Sequence, residues 1–256
     1  MDYKNLFSCN NKVALVTGGA GLIGSAIAKG LLAHGAVVYI ADNAVAAKPK
    51  LGRGKLKNLY LDITNEDSVV EAFKKVNKDS KRIDILVNSA YPRTKDWGKK
   101  LEDVPFDSWK SNVNNQLGGF FLCCREAAQY MKKQGGGSII NIGSIFGIVA
   151  PDFTNYEGTE MTSPAAYAAI KGGIASMTRY LASYYGKYNV RVNVLSPGGV
   201  FDNQPKVFVD RYCQKTPLSR MANAPDVVGA AVFLASDASC YVTGHNLVVD
   251  GGLTAC

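Results

Sequence analysis

Seven short apolar runs punctuate this chain, most of them separated by longer stretches whose apolar residues recur every three or four positions. The runs at 13–16, 36–41, 56–61, 83–87, 138–142, 190–195 and 247–249 predict strands, and helices fit at 22–34, 65–78, 106–133, 164–187 and 225–236. Alternation of this kind builds βαβ units around a parallel sheet. Runs such as AVVYIA and IDILV are apolar without alternation, which suits strands covered on both faces. The expected fold class is therefore α/β, a doubly wound seven-stranded parallel sheet with helices on both faces.

Helix start signals agree with these positions. Thr64 precedes Asn65, Glu66 and Asp67, an N-cap followed by acids near the positive end of the helix dipole. Ser163 before Pro164 predicts a second start, with proline at the first helical position. No repeat, low-complexity tract or linker interrupts the chain, so residues 1–256 are expected to form a single domain, within the size that α/β domains reach.

Composition bears on partners. With 47% hydrophobic and 20% charged residues the chain is globular, not disordered. The 29 Lys and Arg against 21 Asp and Glu give a net charge of +8, but the excess is spread out and forms no patch for nucleic acid. It gives weak support for an anionic substrate. The cysteines at 9, 123, 124, 213, 240 and 256 lack zinc-site spacing, so no metal is expected and the thiols suit a reducing cytoplasm. The first residues lack a signal-peptide core and no apolar run is long enough for a membrane span.

The first strand runs into TGGAGLIG at 17–24 and then into a helix. Glycines here let backbone N–H groups approach a pyrophosphate at the helix N-terminus, the arrangement of Rossmann-type dinucleotide sites. Asp42 ends the second strand, where a carboxylate accepts hydrogen bonds from ribose hydroxyls and repels a 2′-phosphate. No Arg or Lys lies in the turn or immediately after Asp42, which predicts NAD(H) in preference to NADP(H). Asp62, before Ile63, is placed to meet the adenine edge.

Tyr167 and Lys171 share a helix face at i, i+4. A cation near a phenol favours the phenolate, which predicts a tyrosine pKa lowered from about 10 toward the working range of a general acid or base. Ser144 follows the strand SIINIG at the sheet edge where open parallel sheets bind ligands, and can hold a reacting oxygen beside the tyrosine.

With TGGAGLIG, LDIT at 61–64, NSA at 88–90, IINIGS at 139–144, YAAIK at 167–171, RVNVLSPGG at 191–199 and the terminal FLASDASCYVTGHNLVVDGG, the chain resembles the short-chain dehydrogenase/reductase superfamily over nearly its whole length. The resemblance implies that Ser144 polarises the carbonyl or alcohol oxygen, Tyr167 exchanges its proton, and Lys171 binds the nicotinamide ribose and depresses the tyrosine pKa. It further implies cofactor contacts from Gly18, Gly21, Leu22, Ile23, Gly24, Asp42, Asp62, Ile63, Asn88, Ala90, Pro197, Gly198 and Val200. A homodimer or homotetramer is implied as well, through the helices at 106–133 and 164–187.

Several residues depart from the family pattern. The usual T-G-x-x-x-G-x-G turn would have glycine at Leu22 but has it at Gly21, which reshapes the cradle. Tyr91 stands where a glycine is expected and is placed to line the substrate pocket. An ungapped match puts Gln116 where the family has its fourth catalytic residue, an asparagine, with Asn115 the neighbour that a one-residue bulge brings in. Asp202 replaces a threonine that commonly meets the carboxamide.

Ser144 and Tyr167 are 23 residues apart. The connection is longer than loops usually run, and long loops at a sheet's carboxyl edge tend to be functional. Phe153, Tyr156, Glu157, Thr159, Glu160 and Met161 mix aromatic and polar groups suited to a polyhydroxylated substrate, with Tyr156 a candidate substrate contact beside Tyr91, Ser144 and Tyr167. This stretch, with NNQLGGFFL at 114–122 and SPGGVFDNQP at 196–205, is similar to flagellin-modification oxidoreductases of nonulosonic (legionaminic-type) sugar pathways, which implies a sugar, sugar-phosphate or sugar-nucleotide substrate. A 3-oxoacyl thioester reductase fits the same architecture but sits poorly with Asp42. A nucleotide-sensing protein without chemistry sits poorly with three reacting residues in place.

Overall fold

The computed structural model describes residues 3–44 and 55–255. Among them, seven strands form one sheet: β1 (Val13–Thr17), β2 (Val37–Asp42), β3 (Leu56–Tyr60), β4 (Ile85–Asn88), β5 (Gly137–Ile142), β6 (Val190–Pro197) and β7 (Asn246–Val249). They pair in the order β3-β2-β1-β4-β5-β6-β7, every pair parallel. The order reverses between β1 and β4, the place where an open sheet leaves a crevice at its carboxyl edge.

Two cores lie on the two faces of the sheet. On one, α2 (Glu66–Ser80), α4 (Gly119–Gln134) and α5 (Ala165–Tyr185) bury Phe73, Phe120, Met131, Ile170 and Ile174. On the other, α1 (Leu22–Ala33) and α7 (Val228–Ala235) bury Ile27, Leu31 and Val232. β1 is buried at all five positions, which is why its sequence carries no polar alternation. The edge strand β3 exposes Tyr60 and Asn58 and reads LKNLY for that reason.

The helices differ from the sequence expectation at several ends. Asn65, not Thr64, caps α2, its side chain accepting from Ser68 N at 2.9 Å. Ser163 is not the cap of α5, because Pro164 is itself extended (φ −65°, ψ 137°) and takes that place, with Ala165 the first helical residue. The expected single helix at 106–133 is α3 (Phe106–Val113), a π-helical turn (Asn114–Gly118) and α4. Such turns accommodate one extra residue and cluster at functional sites. The segment 225–236 opens as a 3₁₀ turn (Ala224–Val227) before α7. A further helix, α6 (Lys206–Lys215), was not expected; its apolar Phe208 and Tyr212 are embedded in a stretch otherwise rich in charge.

A buried amide chain ties the sheet to α5. Asn88 Nδ2 donates to Asn141 Oδ1 at 2.9 Å, and Asn141 Nδ2 donates to Thr178 Oγ1 at 3.0 Å. All three side chains are out of contact with solvent, so a lost partner leaves a polar group unsatisfied. Asn141→Ala is expected to cost about 2–3 kcal/mol, which for a chain of this size lowers Tm by roughly 4–12 °C in calorimetry. A Tm within a degree of wild type would show that the network carries no stability.

Candidate active site

The carboxyl ends of β1, β4, β5 and β6 open on a cleft of about 640 Å³, a volume typical of small-molecule sites. The turn after β1 forms its floor. Gly18 has φ +61°, and a Cβ there would lie 2.6 Å from Ala90 Cα; a Cβ on Gly24 would lie 2.2 Å from Gly18 O. Strand, turn and helix therefore approach closer than any side chain permits. Gly21 is the N-cap of α1, with no side-chain cap and no acid in the first turn. Leu22, Ile23 and Gly24 line the cleft, so the positive end of α1 borders it, an arrangement suited to receiving an anion. The displaced glycine leaves this geometry intact, because position 22 is the first helical residue and has no need of a positive φ.

Asp42 hangs over the turn. Its carboxylate accepts from Ala20 N (3.1 Å) and Ala44 N (3.0 Å), leaving further lone pairs for other donors. Asp62 Oδ1 accepts from Thr64 N at 2.9 Å and Thr64 Oγ1 at 2.8 Å. Asp42, Asp62 and Ile63 line the end of the cleft served by β2 and β3.

At the other end, Ser144 follows β5 and caps a 3₁₀ turn (Ile145–Gly147), its Oγ accepting from Phe146 N at 3.2 Å. Gly147 presses on α5: a Cβ there would lie 2.7 Å from Lys171 O. This contact brings Ser144 and Tyr167 into the lining of the same cleft. Tyr91, Trp97 and Phe146 meet the Tyr167 ring edge-on at 5.8, 6.2 and 6.3 Å.

The buried Lys171 Nζ donates to Ile142 O at 2.9 Å and lies 5.5 Å from the Tyr167 ring centroid. Burial pulls its pKa down to about 7. The expected lowering of the tyrosine pKa is therefore corrected: burial pushes Tyr167 above its usual 10, and the Ser144 hydrogen bond only partly offsets this. The ammonium is itself desolvated and committed to a carbonyl, so it does not win against the burial of the phenol.

The cleft brings together Gly18, Gly21, Leu22, Ile23, Gly24, Asp42, Asp62, Ile63, Ala90, Tyr91, Ser144, Tyr156, Tyr167, Lys171, Pro197, Gly198 and Val200. Asn88 is not in its lining, being held in the buried amide chain. Neither Gln116 nor Asn115 lines it: Gln116 is buried in the π turn, its Nε2 donating to Pro92 O at 2.9 Å. Asp202 does line it, its N–H donating to Gln204 Oε1 at 2.7 Å.

Sequence reasoning missed Arg93, Phe146, Phe208, Tyr212 and Met221 in the lining. The i, i+4 pair Phe208 and Tyr212 after Pro205 was the available sign of α6. This helix also secures the long connection. Arg211 Nη1 donates to Thr154 O (3.1 Å) and to Glu157 O, Lys215 pairs with Asp152, and Tyr156 packs on Phe208 at 5.2 Å. Among the described residues no cluster of His, Cys, Asp and Glu is suited to a metal, and no helix is long and apolar enough to cross a membrane.

A glycine cradle at a helix N-terminus, opening toward a phenol–hydroxyl pair backed by a buried amine, defines a dinucleotide-dependent oxidoreductase. Residues 19–254 match the family model described as Enoyl-(Acyl carrier protein) reductase. The chain is 39% identical over 250 residues to Post-translational flagellin modification protein A of Campylobacter coli, covering 94% of this chain and 98% of that one. It is similar to a short chain dehydrogenase from Leptospira borgpetersenii with bound NAD+ (38% identity, TM-score 0.86, 96% of this chain and 93% of that one). It is also similar to a gluconate 5-dehydrogenase from Burkholderia cenocepacia in complex with NADP and tartrate (30% identity, TM-score 0.88, 98% of each chain). The chain belongs to the short-chain dehydrogenase/reductase superfamily, whose NAD(P)-dependent enzymes act on CH–OH groups.

The depressed amine makes a stability prediction. Between pH 7 and 10.5 the unfolded chain binds a proton at Lys171 that the folded chain does not, so this group makes stability rise with pH across that window. Lys171→Met removes the dependence. In thermal melts, the stability of the variant relative to wild type should therefore be larger at pH 7 than at pH 10, by several kcal/mol at most; a pH-independent difference would contradict the assignment.

Proposed function

We propose that this protein is an NAD(H)-preferring dehydrogenase interconverting a secondary alcohol and a ketone on a sugar, sugar-phosphate or sugar-nucleotide substrate. The observation that carries the reaction is the meeting of Ser144 and Tyr167 in one cleft, with Lys171 Nζ buried close to the Tyr167 ring. A nicotinamide dinucleotide, when bound, supplies the hydride acceptor or donor. The chain's residues fit it: the first turn of α1 would hold the pyrophosphate, Asp42 the ribose hydroxyls, Asp62 and Ile63 the adenine edge, and Ala90, Lys171 and the segment 197–200 the nicotinamide half.

In alcohol oxidation Tyr167 takes the hydroxyl proton as the carbinol hydrogen departs as hydride; in reduction it returns that proton to the carbonyl oxygen. Ser144 holds the reacting oxygen beside the phenol. Burial pushes the Tyr167 phenol further above its usual 10, so at neutral pH it holds the proton that reduction delivers. Gln116 acts on the segment after β4 through Pro92 and serves as a positioning residue.

Asp42 carries the cofactor preference, since its carboxylate repels a 2′-phosphate; the basic residues from Lys48 to Arg53 lie outside the described residues. The carbohydrate assignment is supported by the aromatic and hydroxyl groups that Tyr91, Tyr156 and Ser144 contribute, and by the flagellin-modification and gluconate relatives. A second reading, reduction of a 3-oxoacyl thioester, is favoured by a relative of that name in Bos taurus, 36% identical over 248 residues, and opposed by Asp42. Exposed Phe106, Phe121, Tyr180 and Tyr184 on α3, α4 and α5 suit self-association as a homodimer or homotetramer, and the free thiols suit a cytoplasmic protein.

Tyr167→Phe is expected to lower kcat by roughly 10²–10⁴-fold while NADH titration still shows wild-type binding; retained turnover would reject the mechanism. With rising pH, carbonyl reduction should hold level to pH 9 and fall above 10, whereas alcohol oxidation should climb steadily from pH 7 to 9. Asp42→Ala should narrow the preference for NADH over NADPH by roughly tenfold or more in paired titrations, and a wild-type preference for NADPH would favour the acyl reductase.

A further inference from the structure

We propose that Arg93 is the anion-recognising residue of the substrate pocket, so that the sugar acted on carries a carboxylate or a phosphate group. This rests on the reaction assigned above and narrows its substrate class. Tyr91, Pro92 and Arg93 leave β4 together and all line the cleft. The Arg93 guanidinium lies over the Tyr91 ring at 5.0 Å, and Tyr91 in turn meets Tyr167. The charge is thus one ring removed from the phenol that handles the proton.

Four other arginines have carboxylate partners nearby, whereas Arg179 has none among the described residues and does not line the cleft. Arg82, Arg125, Arg211 and Arg220 sit against Asp84, Glu66, Glu157 and Asp226. Arg93 has no carboxylate partner among the described residues, although five N–H donors in a planar fork match carboxylate or phosphate oxygens. The acids of the cleft lie elsewhere: Asp42 and Asp62 follow β2 and β3, and Asp202 follows β6, with β5 between it and the strand that carries Arg93.

The backbone around Arg93 is pinned on both sides. Pro92 O accepts from the buried Gln116 at 2.9 Å, and Thr94 N donates to the buried Asn112 Oδ1 at 3.1 Å. Trp97 packs edge-on against Tyr91 at 5.6 Å. Two buried amides from α3 and the π turn therefore hold a short segment whose one cationic side chain faces ligand space.

The test compares wild type, Arg93→Gln and Arg93→Lys, saturated with NADH, on a 5-oxohexonate, a ketohexose 6-phosphate and the neutral ketohexose. In Arg93→Gln, kcat/KM for the preferred anionic substrate should fall roughly 10- to 100-fold while the neutral ketohexose and the NADH affinity are unchanged. Arg93→Lys should recover part of the loss, because it restores charge without the fork. The wild-type preference between the two anions identifies carboxylate or phosphate. Equal losses on charged and neutral substrates, or a loss of NADH affinity, would overturn the proposal.

If no ketose is reduced, the reaction assignment fails, and a binding readout decides Arg93 by itself. The chain has two tryptophans, so Trp109→Phe leaves Trp97 as the reporter beside Tyr91. Saturable quenching by gluconate or inorganic phosphate that disappears in Arg93→Gln would support the anion site, and quenching that is absent or indifferent to Arg93 would refute it.

Discussion

Lys171 buries its amine against the carbonyl of Ile142, and the remainder of the site is built on that seam between α5 and the end of β5. Gly147 lets the chain leaving β5 press directly on the Lys171 backbone. The same contact delivers Ser144 to Tyr167. Burying an amine costs stability unless its proton is lost or its hydrogen bonds are met. Here one carbonyl and three surrounding rings, of Tyr91, Phe120 and Tyr167, meet part of that need, and the pKa falls to about 7. A group held at this compromise responds to small changes in nearby charge, which is useful in a site that binds an anionic dinucleotide.

The cleft is polarised along the sheet. Acids gather at the ends of β2 and β3, helix dipole and glycine amides lie after β1, and the cations Arg93 and Lys171 lie toward β4 and β5. Chain segments far apart in sequence supply the two walls of the reacting end. On one side, Gln116 and Asn112 anchor the stretch from Tyr91 to Trp97. On the other, α6 grips the long connection through Arg211, Lys215 and Phe208. The connection is therefore part of a small third core with Phe208, Tyr212 and Met221, not a free surface loop.

Some readings survived because their physics is local. The glycines of the first turn are dictated by backbone approach, so Gly18 and Gly24 were legible as a cradle before any contact was known. The i, i+4 spacing of Tyr167 and Lys171 needs only one helix. Other readings failed because a distant partner decided them. Gln116 turned to Pro92 and Asn88 to Asn141, neither of which lies near it in the chain. The phenol's pKa went up instead of down because desolvation by Trp97, Phe146 and Tyr91 outweighed a cation already engaged elsewhere. α6 was hidden since its short apolar stripe is meaningful only against Tyr156 and Met161.

Periodicity, glycine placement and residue spacing by themselves determined the parallel sheet, the close-packed glycine turn after β1 and the shared helix face of Tyr167 and Lys171, because each follows from backbone sterics and the pitch of a single element. Tertiary packing alone decided which side chains face the cleft, which amides serve as buried anchors, and in which direction the titrating groups move. Those properties depend on how much water each group loses and on what replaces it, and the replacing atoms come from strands and helices remote in the chain.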